Sequence, residues 1–423
     1  MGQNVVKKAL ERGEMSYTQQ RFDDAVEEWK KALKGLRKPP EKFAIAGKIC
    51  SALCDVGKYR DALTYAGEQC EIANSQKDAA MKSEAFFNVA FCNERSCEFS
   101  KAISYSRQSQ LLHPEKSPMN GYIHLCIGSA YAGTSEFSKA WNNYVIAMGE
   151  AKSSGDKVLE ILTSAKMGAL FCYLGDYETC NAYCGNSLDL LGDLMDDDPN
   201  LKYKRQVTVC STTAVKKMGR YTEAMDACED AMQLAMRHND RPVQARCLFM
   251  FADIHRKRND LERATPRYES ALSIMSEIGD RMGQVEVFGG MAKTAACQRD
   301  YQKAIELNDK ALELATKIGG KLEMVRCHAR LQLLSEVVGE DVHMRRHSSV
   351  IKQLLQEMDL FCGVCGEVVG QVPERLEPLT CGHFVHARCA VHLARSTMGR
   401  SGKRRPCPAC RKNASLNPAQ PPT

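Results

Sequence analysis

The sequence predicts an all-α fold, a long helical solenoid followed by a small metal-bound module at the C-terminal end. Three observations carry that expectation. A pair of landmark residues recurs eight times at a spacing near 40 residues. Six cysteines and two histidines stand at metal-ligand spacing between Cys362 and Cys410. The 423 residues carry 26% charged and 44% apolar side chains, the balance of a folded soluble chain long enough for a repeat array with an appendage. The net charge of +6 is mild for this length and gives no argument for nucleic acid. No run of about 18 apolar residues exists to span a membrane. The polar start MGQNVVKKALERGEM lacks the apolar stretch of a secretory signal, so the expectation is a cytosolic chain. Twenty cysteines there read as thiols and metal ligands rather than disulfides.

The array comes first. Its landmarks are Phe22/Ala25, Tyr59/Ala62, Phe99/Ala102, Phe137/Ala140, Tyr177/Cys180, Tyr221/Ala224, Leu261/Ala264 and Tyr301/Ala304, spaced by 37, 40, 38, 40, 44, 40 and 40 residues. Twelve residues before each second member stands a mostly small side chain: Gly13, Cys50, Ala90, Gly128, Gly168, Thr212, Ala252 and Ala292. Seven residues after it come Ala32, Gln69, Ser109, Ala147, Ser187, Ala231, Ala271 and Ala311, with Gln69 the misfit. Small residues at these offsets let two antiparallel helices approach closely where they cross. Gly57-Lys58-Tyr59, Gly175-Asp176-Tyr177 and Gly219-Arg220-Tyr221 read as the turns between them, with glycine stopping the first helix. This is the tetratricopeptide pattern, stretched from its usual period of about 34 residues, and it predicts eight repeats over 9–320. Cys50, Cys126, Cys180, Cys184, Cys210 and Cys228 fall at helical core positions and read as small buried hydrophobes. His255 reads as a surface or packing histidine.

Residues 321–358 continue as helix, with Leu322, Val325, Ala329 and Leu333 on one face, Val350, Leu354 and Met358 on another, and a break at Gly339. A solenoid needs its last repeat closed, so the segment reads as a capping or coiled-coil-like helix, or as a helix that binds a partner.

The module at 359–412 follows. Its ligands run Cys362-x2-Cys365, Cys381-x-His383-x2-His386-x2-Cys389 and Cys407-x2-Cys410. Eight ligands of this type suit two tetrahedral zinc ions with no open position, so the zinc holds a shape and hydrolyses nothing. Cys381 and His383 are too close in sequence for both to join the first pair. Interleaving resolves this: Cys362, Cys365, His386 and Cys389 form one site, and Cys381, His383, Cys407 and Cys410 the other. That is the cross-brace of a RING-H2 finger, and it leaves His392 as a surface residue. Fingers of this kind often present a conjugating enzyme with an apolar patch. Val364 and Pro408 stand at the positions for such a patch, and Arg411 where ligase-type fingers steady the ubiquitin thioester. The alternative to a ligase is a finger that only docks proteins. The usual tryptophan before the last cysteine pair is missing, since Trp29 and Trp141 both lie elsewhere, leaving Leu393 to substitute. Arg395, Arg400, Lys403, Arg404 and Arg405 form a basic loop, and the tail at 413–423 is Pro-rich and reads as disordered.

At the other end, residues 1–8 read as an acylation segment. Removal of Met1 would leave Gly2 as an N-myristoylation site, with Lys7 and Lys8 following and Val6 where the motif has a hydroxyl residue.

The order of these parts resembles the rapsyn family. The likeness lies in MGQ at the start, CEFSKAISY at 97–105, DRPVQARCLFMFADIHR at 240–256, PRYESALSIMSEIGDRMGQV at 266–285 and the terminal cysteine module. The resemblance implies a scaffold on the cytoplasmic side of the postsynaptic plasma membrane, anchored in the inner leaflet by a myristate on Gly2. It implies that the repeats self-associate and that nicotinic acetylcholine receptors are clustered. It also implies a finger that faces dystroglycan or the actin-based cytoskeleton. Ligase activity belongs to the same family's finger, which keeps a RING-type ubiquitin-like ligase, with a conjugating enzyme as partner, as the second reading.

Overall fold

The computed structural model describes residues 3–112, 117–193, 199–391 and Cys407. Within them eighteen α-helices run as nine successive hairpins. The first four are α1 (Gln3–Thr18) with α2 (Phe22–Gly35), α3 (Pro39–Asp55) with α4 (Tyr59–Gln76), α5 (Ala79–Arg95) with α6 (Phe99–Leu111), and α7 (Met119–Gly133) with α8 (Phe137–Ser154). Next come α9 (Lys157–Tyr173) with α10 (Tyr177–Gly192), α11 (Lys202–Lys217) with α12 (Tyr221–Arg237), and α13 (Arg241–Lys257) with α14 (Leu261–Ile278). The last two are α15 (Arg281–Cys297) with α16 (Tyr301–Ile318), and α17 (Lys321–Val338) with α18 (Asp341–Glu357). A two-stranded antiparallel sheet, β1 (Leu376–Pro378) and β2 (Phe384–His386), follows. No helix among the described residues is long and apolar enough to cross a membrane.

Every landmark of the eightfold pattern is the first residue of the second helix of a hairpin. Two residues before each landmark the backbone is left-handed: Gln20, Gly57, Cys97, Ser135, Gly175, Gly219, Asn259 and Arg299. The left-handed residue ends the first helix, and a backbone bond reaching back five residues satisfies an orphan carbonyl, as in Glu98 N to Asn93 O at 2.8 Å. Glycine takes this position in only three of the eight turns, which is why the glycine signal alone understates the repeat. The small residues do what their spacing predicts. A Cβ at Gly13 would lie 2.4 Å from Trp29, and one at Gly128 2.6 Å from Tyr144. Gln69, the misfit, is fully buried and satisfied: its amide donates to Phe43 O at 3.0 Å and its oxygen accepts from Asn88 at 2.7 Å.

Residues 321–358 form a ninth hairpin, closed by a left-handed Gly339, rather than one capping helix. Leu333, read on one face with Leu322, Val325 and Ala329, is 62% exposed, while Cys327, Leu331 and Leu334 are buried. Leu322, Val325 and Ala329 are half-buried, and α17 packs against both α16 and α18, which a single apolar stripe does not anticipate.

The hairpins coil so that each early turn meets the start of the hairpin five places later. In the first turn Gln20 accepts from Arg205 of α11 at 2.8 Å. In the second, Gly57 (φ +85°) lies against Pro242 of α13 and Ile278 of α14, and a Cβ there would stand 3.0 Å from Ile278. In the third, Glu98 pairs with Arg281 of α15 at 2.6 Å. In the fourth, Ser135 Oγ accepts from Leu322 N of α17 at 2.9 Å. The landmarks beneath these four turns, Phe22, Tyr59, Phe99 and Phe137, are buried, whereas Tyr221, Leu261 and Tyr301 of the sixth to eighth turns are half-buried.

Buried and half-buried ion pairs stitch the later hairpins. Asp253 accepts from Lys216 at 2.7 Å, Arg256 at 2.5 Å and Tyr268 at 3.2 Å. Arg205 meets Asp240 at 2.9 Å, and Arg246 meets Asp280 at 2.9 Å. His255 is a packing residue, buried with Nδ1 3.2 Å from Asp260.

Candidate metal centre

The finger begins where α18 ends. A tight turn, with Gly366 N donating to Cys362 O at 2.8 Å, brings Cys362 and Cys365 to one side. The short hairpin β1–β2 pairs Leu376 with His386 and Pro378 with Phe384. Because side chains alternate along a strand, His386 points opposite to Val385, into the same space as the first cysteine pair. Cys389 follows one helical turn later.

The structure gathers Cys362, Cys365, His386 and Cys389 with their ligand atoms all within 4.8 Å of one another, and separately gathers Cys381, His383 and Cys407. His386 Nδ1 stands 3.3 Å from Cys365 Sγ and 4.0 Å from Cys389 Sγ; His383 Nδ1 stands 3.3 Å from Cys381 Sγ. Cys362, His386 and Cys389 are buried and Cys365 is exposed. Cys410, the eighth residue of the predicted set, lies outside the described residues. So do Gly2, His392, Leu393, Pro408, Arg411, the basic loop and the tail. Val364 is 38% exposed.

Two carboxylates that sequence spacing gave no means of finding complete the arrangement. Glu374 lies 3.1 Å from His386 Nε2, and Asp359 2.8 Å from His383 Nε2. Each imidazole thus offers Nδ1 to the thiols while a carboxylate holds its far nitrogen. Ligating histidines are oriented and made more basic in this manner. Arg388 in turn holds Glu374 at 3.1 Å and binds Glu367.

The electrostatics fit a cation between the sulfurs. Burial pushes the Cys362 thiol up, yet backbone N–H groups of Cys365, His386 and Val364 outweigh it and hold the group below the usual thiol range. Burial and the neighbouring Cys362 charge then push Cys389 up to about 12. Several thiolates in one small volume repel unless a cation compensates them, and three thiols with one imidazole are the donor set of a tetrahedral structural site.

The finger does not stand free. Phe384 packs edge-on against Trp141 and Phe171 of the array, with ring centroids 5.9 Å apart in both cases. Trp141 of α8, more than two hundred residues upstream, thus packs against the module. Asn142 donates to Cys381 O at 3.2 Å. Asp176 caps α10 through Thr179 N at 3.0 Å, while its other oxygen accepts from Leu376 N at 2.9 Å. Gly382 (φ +90°) sits so near α8 that a Cβ would come 2.6 Å from Ser138 O. The finger therefore covers the fifth turn of the array as the starts of later hairpins cover the first four.

Comparison with known proteins gives a consistent set of likenesses. A family described as the rapsyn N-terminal myristoylation and linker region matches residues 1–79, and a tetratricopeptide repeat family matches 213–277. The chain is 35% identical over 422 residues to the 43 kDa receptor-associated protein of the synapse of Tetronarce californica, covering 99% of both chains. It is 34% identical over 414 residues to the protein of that name in Gallus gallus, covering 97% of this chain and 98% of the relative. Among solved structures, a Rap protein complexed with competence and sporulation factor aligns at a TM-score of 0.60 with 13% identity, over 84% of this chain and 99% of the other. That last likeness concerns the helical-repeat fold alone.

Proposed function

Since this chain belongs to the rapsyn family, we propose that it is a receptor-associated scaffold of the synapse, held peripherally on the cytoplasmic face of the postsynaptic membrane and clustering nicotinic acetylcholine receptors. The observation that carries this reading is the 35% identity that runs through 99% of both chains, array and finger alike. The helical array is the self-associating part. Many weak contacts between copies confined to a membrane surface add up to a stable cluster, because each linked contact makes the next one intramolecular. A myristate on Gly2 supplies the membrane contact. One such chain binds lipid with a constant of only about 10⁴ M⁻¹, so the receptor or basic side chains supply the second contact.

The finger is a RING-H2 cross-brace holding two zinc ions through Cys362, Cys365, His386 and Cys389, and through Cys381, His383, Cys407 and Cys410. Its role is to face dystroglycan or the actin-based cytoskeleton. The proposal is tested by expressing the chain with nicotinic receptor subunits in cells that otherwise lack both. Receptors should gather into surface patches with the wild-type chain, and Gly2→Ala should leave both protein and receptors diffuse. Receptors that remain evenly spread with the wild-type chain would overturn the clustering role. A Gly2→Ala chain that stays on membranes would overturn the lipid anchor alone.

A further inference from the structure

Outside the finger the described residues hold two more groups of three thiols, Cys50, Cys54 and Cys92, and Cys180, Cys184 and Cys210. The first is the drier, with all three residues buried. Cys50 and Cys54 stand one turn apart on α3, and Cys92 reaches them from α5 of the next hairpin. Cys92 Sγ lies 3.5 Å from Cys50 Sγ and 3.7 Å from Cys54 Sγ, and all three sulfurs fall within 4.8 Å. Their exposures are 1%, 6% and 1%. A buried cysteine is ordinarily a small hydrophobe, and a sulfur that only fills space has no reason to seek two others. These converge from two helices as closely as the thiols of the finger do.

We propose that Cys50, Cys54 and Cys92 form a three-thiolate site for Cu(I), inside the array and separate from the zinc finger. Thiolates are soft donors and select Cu(I) or zinc. Zinc takes four ligands in a closed site, and the group has three. The neighbouring carboxylate, Asp55, is already engaged by Lys202 at 2.5 Å. Cu(I) is satisfied by three sulfurs in a plane. A metal–sulfur distance of about 2.3 Å places three such sulfurs roughly 4 Å apart, which the observed spacing brackets.

Binding releases the three thiol protons to solvent and leaves two net negative charges. Arg95 lies within electrostatic reach of Cys54 to offset them. Cys54 and Arg95 both line a solvent-open cleft of about 370 Å³ between the hairpins, which gives the ion a way in.

The test uses the full chain, reduced and with its zinc content measured, titrated anaerobically with Cu(I) against the chromophoric chelator bathocuproine disulfonate. Wild type should withhold one equivalent of copper more than Cys92→Ser, at unchanged zinc and unchanged helical circular dichroism. Equal retention by the two overturns the site. Cys97→Ser, which removes a buried thiol just beyond the end of α5, should retain copper as wild type does. If it loses the same equivalent, the loss reflects general damage and the assignment fails. X-ray absorption on Cys184→Ser, which breaks the second group of three thiols, loaded with one equivalent covers the case in which Cys92→Ser does not fold. Three sulfur neighbours and no nitrogen are expected; a nitrogen neighbour would put the copper in the finger and overturn the proposal. Copper held by the Cys180 group would survive Cys92→Ser and so fails to count as support.

Discussion

In the array Trp29, Trp141, Tyr144 and Tyr268 are each buried to 1% exposure or less among other side chains. In the finger the most completely buried groups include Cys362, His386, Leu379 and Val385, so metal-ligand positions occupy space that an array helix gives to aromatics. The finger's apolar residues, Leu376, Leu379, Phe384 and Val385, also belong to one cluster with Trp141, Phe171 and Leu174 of the array. Helices that pack on neighbours at both sides hold their shape by burial. A segment of about fifty residues has too little interior for that. The proposed metal ions within it would make up for that, together with the array beneath.

The largest effect that can break this contrast is metal removal. A structural zinc site contributes on the order of 10 kcal/mol, so a strong chelator should unfold the finger outright. Cys362, Cys389 and Cys407 should then alkylate rapidly while the far-ultraviolet helical signal stays nearly constant. If the helices melt together with the finger, the contact at the fifth turn carries the array as well, and the two regions form one cooperative unit. If the finger thiols stay protected after chelation, no metal holds them.

Next in size is a change inside the array. Asp253→Asn strands Lys216 in a buried position, and breaking a buried pair costs about 3–5 kcal/mol. Denaturant unfolding of the array should shift by that amount, with finger zinc retained. Burial alone would raise the Asp253 carboxyl, but Lys216 and Arg256 outweigh it and hold the group well below the usual carboxylate range. A depressed carboxylate contributes stability that is present above its unfolded pKa of about 3.9 and is lost as pH falls further. The gap between wild type and Asp253→Asn should therefore be widest at neutral pH and narrow below about pH 4. A gap that does not change with pH would mean the substitution acts through packing instead.

The same contrast separates what the sequence revealed from what it concealed. Repeat boundaries were legible because each hairpin is local: one landmark, one left-handed residue two positions earlier, and one small residue at the crossing. The gathering of Cys362, Cys365, His386 and Cys389 was legible because their spacing leaves few ways to bring them together. The five-hairpin coil was not legible, since its bonds join residues far apart, such as Leu322 with Ser135 and Arg281 with Glu98. The same distance hid the seat of the finger. Trp141 looks like any core aromatic of a repeat, and nothing local to it marks a partner at Phe384. Asp359 and Glu374 were missed because a carboxylate behind a histidine has no fixed offset from it. Asp253 and Tyr268, inside two of the stretches that carry the family likeness, share one buried hydrogen bond. That gives those stretches a structural reason for being more than generic repeat sequence.

The smallest effect sharpens the comparison at the seam itself. Asp176 and Asp300 both cap the second helix of a hairpin, accepting from Thr179 N at 3.0 Å and Lys303 N at 3.1 Å. Asp300 stands in the eighth turn, where nothing in the series of five-apart contacts covers it, while Asp176 also accepts from Leu376 N of the finger. Losing a cap costs roughly 1 kcal/mol, and losing the acceptor of a buried backbone N–H adds about 1–3 kcal/mol. Asp300→Ala should thus lower array stability slightly and leave the finger untouched. Asp176→Ala should lower it further and speed hydrogen exchange at the Leu376 amide, with zinc still bound. Equal exchange at Leu376 in the two variants would mean the finger is seated by Phe384 on Trp141 and Phe171, and that the bond at the fifth turn follows from that seating instead of securing it.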